Sequence, residues 1–569
     1  MSITPQYTEK TISTDTFPDE YRTSSETREP EPPLKSNGDL QAAPMAESKS
    51  APEHPDEEAE YIFGWKLILT TGIVALASFT MLLDTSIVVT AIPRITSDFH
   101  SLNDVGWYGS AYLLASSSLQ PLTGKFYGQF NLKSTYLIFI CLFEIGSLIC
   151  GVAQSSKMLI VGRAVAGLGG SGLMNGSLTI LSFCAPPEKR PALLGFLMGF
   201  AQLGILLGPL LGGVFTQYTT WRWCFFINLP IGGIVAGLLL LINIPDRRAP
   251  RPPIKTIRNA LKIFDILGFL LFAPTMIMFL LALEWGGTSY PWHSATIIGL
   301  FCGAGGNLVL YLIWEYKKGD EAMIPLGMIK RRIVWSSFMV TFFFAGFMLI
   351  SAYYLAIYFQ AVRGRTPTMS GVDVLPGVIT SLVFAVLSGV LVSRVGYYLP
   401  FAIFSAVVNA ISSGLISSFT PTTDAGKWIG YQILAGLGRG SGMQMAIVAI
   451  NTALTPAENP VGMAIIIFAQ QFGGSVWLAI ASTTFNTGLA NALAKYAPGV
   501  DPKLIATAGA TGYRNVIPAA SVEGVIKSYN EAVNHDFYIA AGAAVATFFF
   551  SWGMGWKSVK KAKKVEPAA

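Results

Sequence analysis

Gly195–Gly213 reads GFLMGFAQLGILLGPLLGG, inside an apolar run from Pro191 to Tyr218. A run of that length crosses a hydrocarbon layer of roughly 30 Å as one helix. Gly195, Gly199, Gly204, Gly208 and Gly212 recur at four- or five-residue spacing, so one helical face carries no side chains. In lipid, such a face lets a second backbone pack at close range. Pro209 removes a backbone donor and predicts a bend beside that face. The stretch therefore predicts a membrane helix shaped to lie against another helix.

Composition extends this reading to the whole chain. Hydrophobic residues make up 52% and charged residues 13%, and mean hydropathy is +0.50. Soluble chains carry about a quarter charged residues, so an all-α polytopic membrane protein is expected. Cys141, Cys150, Cys184, Cys224 and Cys302 lie in or beside apolar spans without metal-ligand spacing. They read as small packing residues rather than a disulfide framework. His54, His100, His293 and His535 lie outside the spans and form no cluster. Gly167-Leu-Gly-Gly-Ser-Gly172 lacks the Gly-Lys-Ser/Thr ending of a phosphate loop. No metal, cofactor or enzymatic activity is expected.

Fourteen spans are predicted, near 66–92, 105–124, 134–154, 158–182, 191–216, 224–244, 264–284, 294–315, 334–360, 371–393, 400–419, 428–450, 461–486 and 537–556. Residues 1–62 are rich in Ser, Thr, Pro and Glu and read as a disordered tail without a cleavable signal. Lys125, Lys133, Lys189, Arg190, the basic residues between 247 and 262, Lys317, Lys318 and Lys330–Arg332 fall in alternate loops. The positive-inside rule then predicts both termini in the cytoplasm and the polar loop 486–536 outside, with a short amphipathic helix around Ser521–Asn534.

The chain also repeats. Ala166-Gly-Leu-Gly-Gly-Ser-Gly172 returns as Ala435-Gly-Leu-Gly-Arg-Gly-Ser-Gly442, and Ala201-Gln-Leu-Gly204 as Ala469-Gln-Gln-Phe-Gly473. The offsets, 435 − 166 = 269 and 469 − 201 = 268, nearly agree. A duplicated six-helix unit is predicted: an amino-terminal half over 63–244, a carboxy-terminal half over 334–556, and two inserted helices within 245–333. Residues 557–569 form a basic tail.

Several stretches resemble a known family. Gly204-x-x-x-Gly208-Pro209-x-x-Gly212-Gly213 resembles the fifth-helix motif of major facilitator superfamily antiporters. Leu83-Asp-Thr-Ser-Ile-Val-Val-Thr-Ala-Ile-Pro93 resembles the first-helix signature of its fourteen-span drug:proton antiporters, and Leu159-Ile-Val-Gly-Arg-Ala-Val-Ala-Gly167 the fourth-helix Arg motif. Trp221-Arg-Trp-Cys-Phe-Phe-Ile-Asn-Leu-Pro-Ile-Gly232 is similar to the start of the sixth helix in that group. Tyr353–Val362 and Ser370–Pro376 are similar to fungal toxin efflux pumps. One motif departs: where the family has Gly-x-x-x-Asp-x-x-Gly between helices 2 and 3, this chain has Gly124, Gly128 and Asn131. The usual charged latch is therefore not carried over, and Lys125 and Lys133 read either as gating residues or as positive-inside anchors.

Ionisable side chains within spans are costly and mark candidate sites. Asp84 and Arg163 lie at matching depth, roughly 8–9 Å below the external surface at 1.5 Å per residue. They are expected either to couple protons to transport or to form a permanent structural bridge. Glu144, mid-way along helix 3, reads as a second proton site or a neutral hydrogen-bonded acid. Arg439 reads as an attractor for an anion or acid, or as a helix-bundling group. Asp265, Glu284, Glu315 and Asp373 lie near helix ends and are expected at the interface, with Trp65, Trp107, Trp221, Trp223, Trp285 and Trp292 in the aromatic belt. Phe200, Phe343, Phe344 and Tyr354 read as cavity-lining or lipid-facing.

The resemblance implies a secondary transporter, exporting an amphipathic organic compound in exchange for protons. Uptake of a siderophore or amino acid, or a non-transporting sensor, are the alternatives. Expected partners are the small-molecule substrate, protons and the bilayer, with no nucleic acid, in a monomer. The plasma membrane is the expected site, with the vacuolar membrane as the alternative.

Overall fold

The computed structural model describes residues 61–100, 104–245, 263–287 and 290–560, apart from a few positions between 503 and 511. The tail at 1–60, the basic loop at 246–262 and the lysines after 560 lie outside the described residues. Among those described, fourteen helices are long enough to cross a bilayer. They are α1 Trp65–Phe99, α2 Val105–Gln129, α3 Leu132–Gly151, α4 Ser156–Cys184, α5 Arg190–Tyr218, α6 Trp223–Leu241, α7 Ile266–Trp285, α8 Ala295–Lys318, α9 Arg332–Val362, α10 Leu375–Val395, α11 Leu399–Ile416, α12 Ala425–Ala453, α13 Asn459–Tyr496 and α14 Ala519–Met554.

Thirteen of these are also apolar enough to be membrane spans by composition. The exception, α2, is diluted by Ser116, Ser117, Ser118 and Gln120, all of them buried. Local signals set the helix edges. Asn131, Ser155, Ser294, Thr366 and Asp424 each accept a hydrogen bond from a backbone N–H in the first turn that follows. Pro191 and Pro460, 269 positions apart, both stand in the first turn of their helices, α5 and α13. The last five residues of α9, Tyr358–Val362, widen into a π-helical turn.

The duplication expected from the Gly-rich repeats appears in the packing. Gly167 of α4 meets Tyr112 of α2, and its counterpart Gly436 of α12 meets Thr380 of α10. Gly169 meets Phe143 of α3, and its counterpart Gly438 meets Asn409 of α11. Glycine at these positions lets helices touch backbone to backbone. The helices that carry the two repeats thus make matching contacts, α4 with α2 and α3, and α12 with α10 and α11. The inserted pair packs on itself and lies outside the halves, with Phe272 of α7 5.4 Å from Phe468 of α13 and Phe264, just before α7, 5.0 Å from Phe126 of α2.

Three expectations change. The polar stretch 486–536 is largely helical, because α13 continues to Tyr496 and α14 already starts at Ala519. The amphipathic helix expected around Ser521–Asn534 is the first part of α14, and Glu523, Lys527 and Glu531 dilute its hydropathy enough to separate it from the span predicted from 537. Asp265, Glu315 and Asp373 are buried rather than interfacial. Asp265 accepts from Trp314 Nε1 at 2.7 Å and from the Met323 N–H at 2.9 Å, while Asp373 pairs with Arg365 at 2.9 Å. Trp221, read as a belt residue, is also buried and donates to Asp98 at 2.8 Å.

Candidate functional site

Asp84 stands on α1 because an apolar helix leaves an acid only two options, an internal partner or a wet cavity. It has the partner. Arg163 Nη1 of α4 lies 2.5 Å from Asp84 Oδ2, and both side chains are essentially without exposure. Asn228 Nδ2, on α6, donates to Asp84 Oδ1 at 2.9 Å and lies 3.1 Å from Ser147 Oγ on α3. Arg163 Nε donates to the Tyr108 carbonyl of α2 at 2.9 Å, and its guanidinium lies 4.7 Å from the centre of the Tyr112 ring. One ion pair thereby ties α1, α2, α3, α4 and α6 together. The sequence brought Asp84 and Arg163 to equal depth but gave no sign of Asn228, which lay inside a stretch read as a helix start.

The glycine face of α5 divides into two contacts. A Cβ on Gly204 would lie 2.7 Å from the Leu83 nitrogen, on Gly208 2.8 Å from Ser86 Cβ, and on Gly212 2.7 Å from the Ile87 carbonyl oxygen. All three abut α1 in the turns around Asp84, and Ser86 Oγ donates to the Gly204 carbonyl at 3.0 Å. Gly195 and Gly199 face α10 of the other half instead, at Ala385 and Leu382. Pro209 sits inside the helix between Gly208 and Gly212. Gly213 is different: nothing lies within 4 Å of where its Cβ would sit. Of the motif's glycines, it is not part of the contact face.

Gly124 and Lys125, expected in the loop between helices 2 and 3, belong to α2, which continues to Gln129. A Cβ on Gly124 would come within 2.8 Å of Val461 Cα, so this glycine is where α2 meets α13 of the other half. Lys125 Nζ donates to the Glu321 carbonyl at 3.3 Å, beside the insert. Lys133 Nζ donates to the carbonyls of Leu240 and Ile242, at 2.8 and 2.9 Å, and so caps α6.

Comparison with known proteins decides what this arrangement belongs to. Residues 74–478 match the Major Facilitator Superfamily. The chain belongs to that superfamily. It is 53% identical over 520 residues to the MFS-type transporter pigP of Monascus ruber, covering 91% of each chain. It is 52% identical over 515 residues to the efflux pump mlcE of Penicillium citrinum, covering 89% of this chain and 93% of that one. The solved proton:xylose symporter XylE shares the fold at a TM-score of 0.57 and 15% identity, over 87% of this chain and 97% of its own. The human organic anion transporter MFSD10 does so at 0.55 and 12%, over 85% and 99%. This major facilitator protein is therefore an integral multi-pass transporter and not an enzyme.

The remaining charged candidates are not part of the Asp84 cluster. Glu144 is half-buried on α3, one turn before Ser147, and faces Gly232 of α6, one turn after Asn228. Its Oε2 has no hydrogen-bond partner among the described residues. Arg439 Nε likewise has none, and no carboxylate among the described residues pairs with it. Asp536 falls one residue before the predicted last span, in the stretch expected as an external loop. It lies within α14, fully buried, on the seam formed by Tyr529, Ala532, Val533, Phe537 and Ala540, and neither carboxylate oxygen has a partner among the described residues. Phe344 and Tyr354 are buried inside the carboxy-terminal half rather than facing lipid.

The halves meet through polar groups as well as glycine. Gln471 of α13 accepts from Ser117 Oγ at 3.0 Å and donates to Ser116 Oγ at 3.3 Å, both on α2. The apolar core shows how the halves sit. At the face where α4 turns into α5 and α12 into α13, one continuous cluster runs from Leu181 and Leu194 to Ile450, Leu454 and Val461. At the opposite face the core is split. One cluster around Ile87, Tyr108 and Phe225 belongs to the first half, and another around Phe359, Phe419 and Tyr529 to the second.

Proposed function

We propose that this transporter exports an amphipathic small organic compound, such as a toxin, drug or secondary metabolite, in exchange for protons. The observation that carries the reading is the enclosed Asp84–Arg163 pair, set directly behind the α1–α5 glycine contact. A proton reaching Asp84 removes the charge that holds Arg163 and loosens the tie between α1 and α4. α1 lies on the smooth face of α5, and α5 in turn lies on α10 of the other half, so a change at Asp84 has a mechanical route to the seam between the halves. Such a switch needs only that the proton bind the two arrangements with different affinity. Glu144, one turn away on both α3 and α6, is the group that delivers or receives the proton.

The names of the relatives, efflux pump among them, support export over uptake. The distribution of Lys and Arg supports a cytoplasmic position for both termini and for the face with the continuous core. On that reading the halves are sealed toward the cytoplasm and parted toward the outside, in the plasma membrane or, as the alternative, the vacuolar one. The unit is a monomer of two six-helix halves over 63–244 and 334–556. In this scheme Gly204, Gly208, Pro209 and Gly212 govern the conformational change, Gly124, Lys125 and Lys133 hold the cytoplasmic ends, and Arg439 faces the transport path.

Inside-out vesicles with an acidic lumen test the direction. An exporter accumulates its compound in that lumen as protons leave. Accumulation only in right-side-out vesicles with an acidic exterior would mean uptake, and none in either orientation a sensor.

A further inference from the structure

A cavity of about 610 Å³ opens near the parted face, beside the inserted helices. Its walls come from α2, α13 and the inserted helix α7 with the turn that follows it. This volume falls within the roughly 300–1,000 Å³ typical of small-molecule sites. Its two ends differ in chemistry. The deep end is apolar, with Leu114 of α2, Leu280 of α7 and Leu478 of α13. At the outer end, Glu284, Asn486 and Asn491 are exposed, and Leu113 at the mouth is 48% exposed. Trp292 roofs the site against Gly286 and Gly287, and the positive φ of Gly287, 73°, lets the chain turn back over it.

A stripe on α13 connects this side cavity with the interface between the halves. Ser475, Ser482, Asn486 and Asn491 lie along the cavity side of the helix, and Gln471, one turn below Ser475, is the residue bonded to α2. Without α7 this stripe would face hydrocarbon, where hydroxyl and amide groups are costly. The insert supplies the missing wall.

We propose that this cavity is a side binding site for an amphipathic molecule whose hydrogen-bond-donating head meets Glu284, Asn486 and Asn491 and whose apolar body lies between α2 and α7. The inference rests on the export reading for its link to transport, and it gives the inserted helices a role: they wall a lateral exit at the depth of the outer leaflet. Two sources provide such a molecule, an exported solute or a bilayer lipid with an amine head.

The test uses full-length Thr483→Cys protein in phosphatidylcholine nanodiscs, with Cys141 and Cys302 replaced by Ser, and follows the rate of maleimide modification. Dodecylamine is the probe, and dodecyltrimethylammonium is its control, equal in charge but without N–H donors. At ten times its dissociation constant, dodecylamine should slow labelling by about tenfold, the factor 1 + [L]/Kd. The trimethylated control should leave the rate nearly unchanged, and Glu284→Gln should shift protection to higher dodecylamine concentrations. Phosphatidylethanolamine in the disc that slows labelling without dodecylamine identifies the occupant as a lipid; an unchanged rate identifies a solute. No protection by dodecylamine, or equal protection of a cysteine placed at the lipid-facing Val545, overturns the site. No pH gradient is present in this measurement, so its failure is distinct from a failure of proton-driven export in vesicles.

Discussion

In the amino-terminal half, Asp84 and Arg163 are buried together, and Asn228, Ser147 and the Tyr108 carbonyl complete their hydrogen bonding. In the carboxy-terminal half, Asp536 and Arg439 are on different helices, and neither carboxylate oxygen of the one nor Nε of the other has a partner among the described residues. The same six-helix frame thus carries a closed charge network on one side and isolated groups on the other. Removing a charge should therefore have opposite consequences in the two halves. Breaking a buried pair leaves its partner stranded, whereas deleting an unpartnered group removes a desolvation cost.

The largest effect should come from Arg163→Met. Losing one member of a buried pair costs about 3–5 kcal/mol, so thermal unfolding in detergent should show a strongly destabilised protein, and Asp84→Leu added to it should recover much of the loss. If the double variant is no more stable than the single, the network argument fails. Next comes Gly208→Leu, which pushes α5 off Ser86 and Ile87 and should abolish transport with membrane insertion retained. Gly213→Leu, in the same motif but facing open space, should transport normally. Equal loss in both variants would remove the contact face as the reason for the motif.

Asp536→Leu should be neutral or stabilising, by up to about 3 kcal/mol, the opposite sign to Arg163→Met. A loss of stability comparable to that of Arg163→Met would show that Asp536 has a bonding partner. The smallest effect lies outside the bilayer. Arg331 and Glu458 form a two-bonded pair at 3.1 and 2.6 Å. The hydrogen bond from Arg331 holds the Glu458 carboxyl below its usual value, and the same bond raises Arg331. A carboxyl depressed in the folded state stabilises above its ordinary value near 4.5 and loses that contribution as pH falls through the lowered one. Because both groups are partly exposed, the contribution is under about 1 kcal/mol. Wild type should therefore melt slightly above Glu458→Gln at pH 7 and together with it once the pH has fallen well below the lowered value; a difference that persists in acid would assign it to packing.

Much of the frame was legible because membrane helices announce themselves by length and composition. The repeat at offsets of 268 and 269 gave the two halves, and the turns of α4 and α12 that carry it make matching contacts. The Asp84–Arg163 pair could be anticipated from depth, since rise per residue is fixed. Facing was not legible. Hydropathy cannot tell that Gly213 points away from α1 while Gly212 points toward it, or that the serines of α2 turn inward toward Gln471. Nor could a window average place Asp536 within a span, because the charged turns before it read as a separate amphipathic helix of the external loop. Asn228 carried no charge to draw notice, yet it completes the site.

If Asp84 couples proton movement to export, its carboxylate is what the imposed gradient acts on. The most direct measurement compares substrate accumulation in inside-out vesicles with and without an acidic lumen, for wild type and Asp84→Asn at matched protein levels. The imposed gradient should drive accumulation in wild type and add nothing in Asp84→Asn, while substrate binding persists. Undiminished gradient dependence in Asp84→Asn would contradict it and leave the Asp84–Arg163 pair a structural bridge.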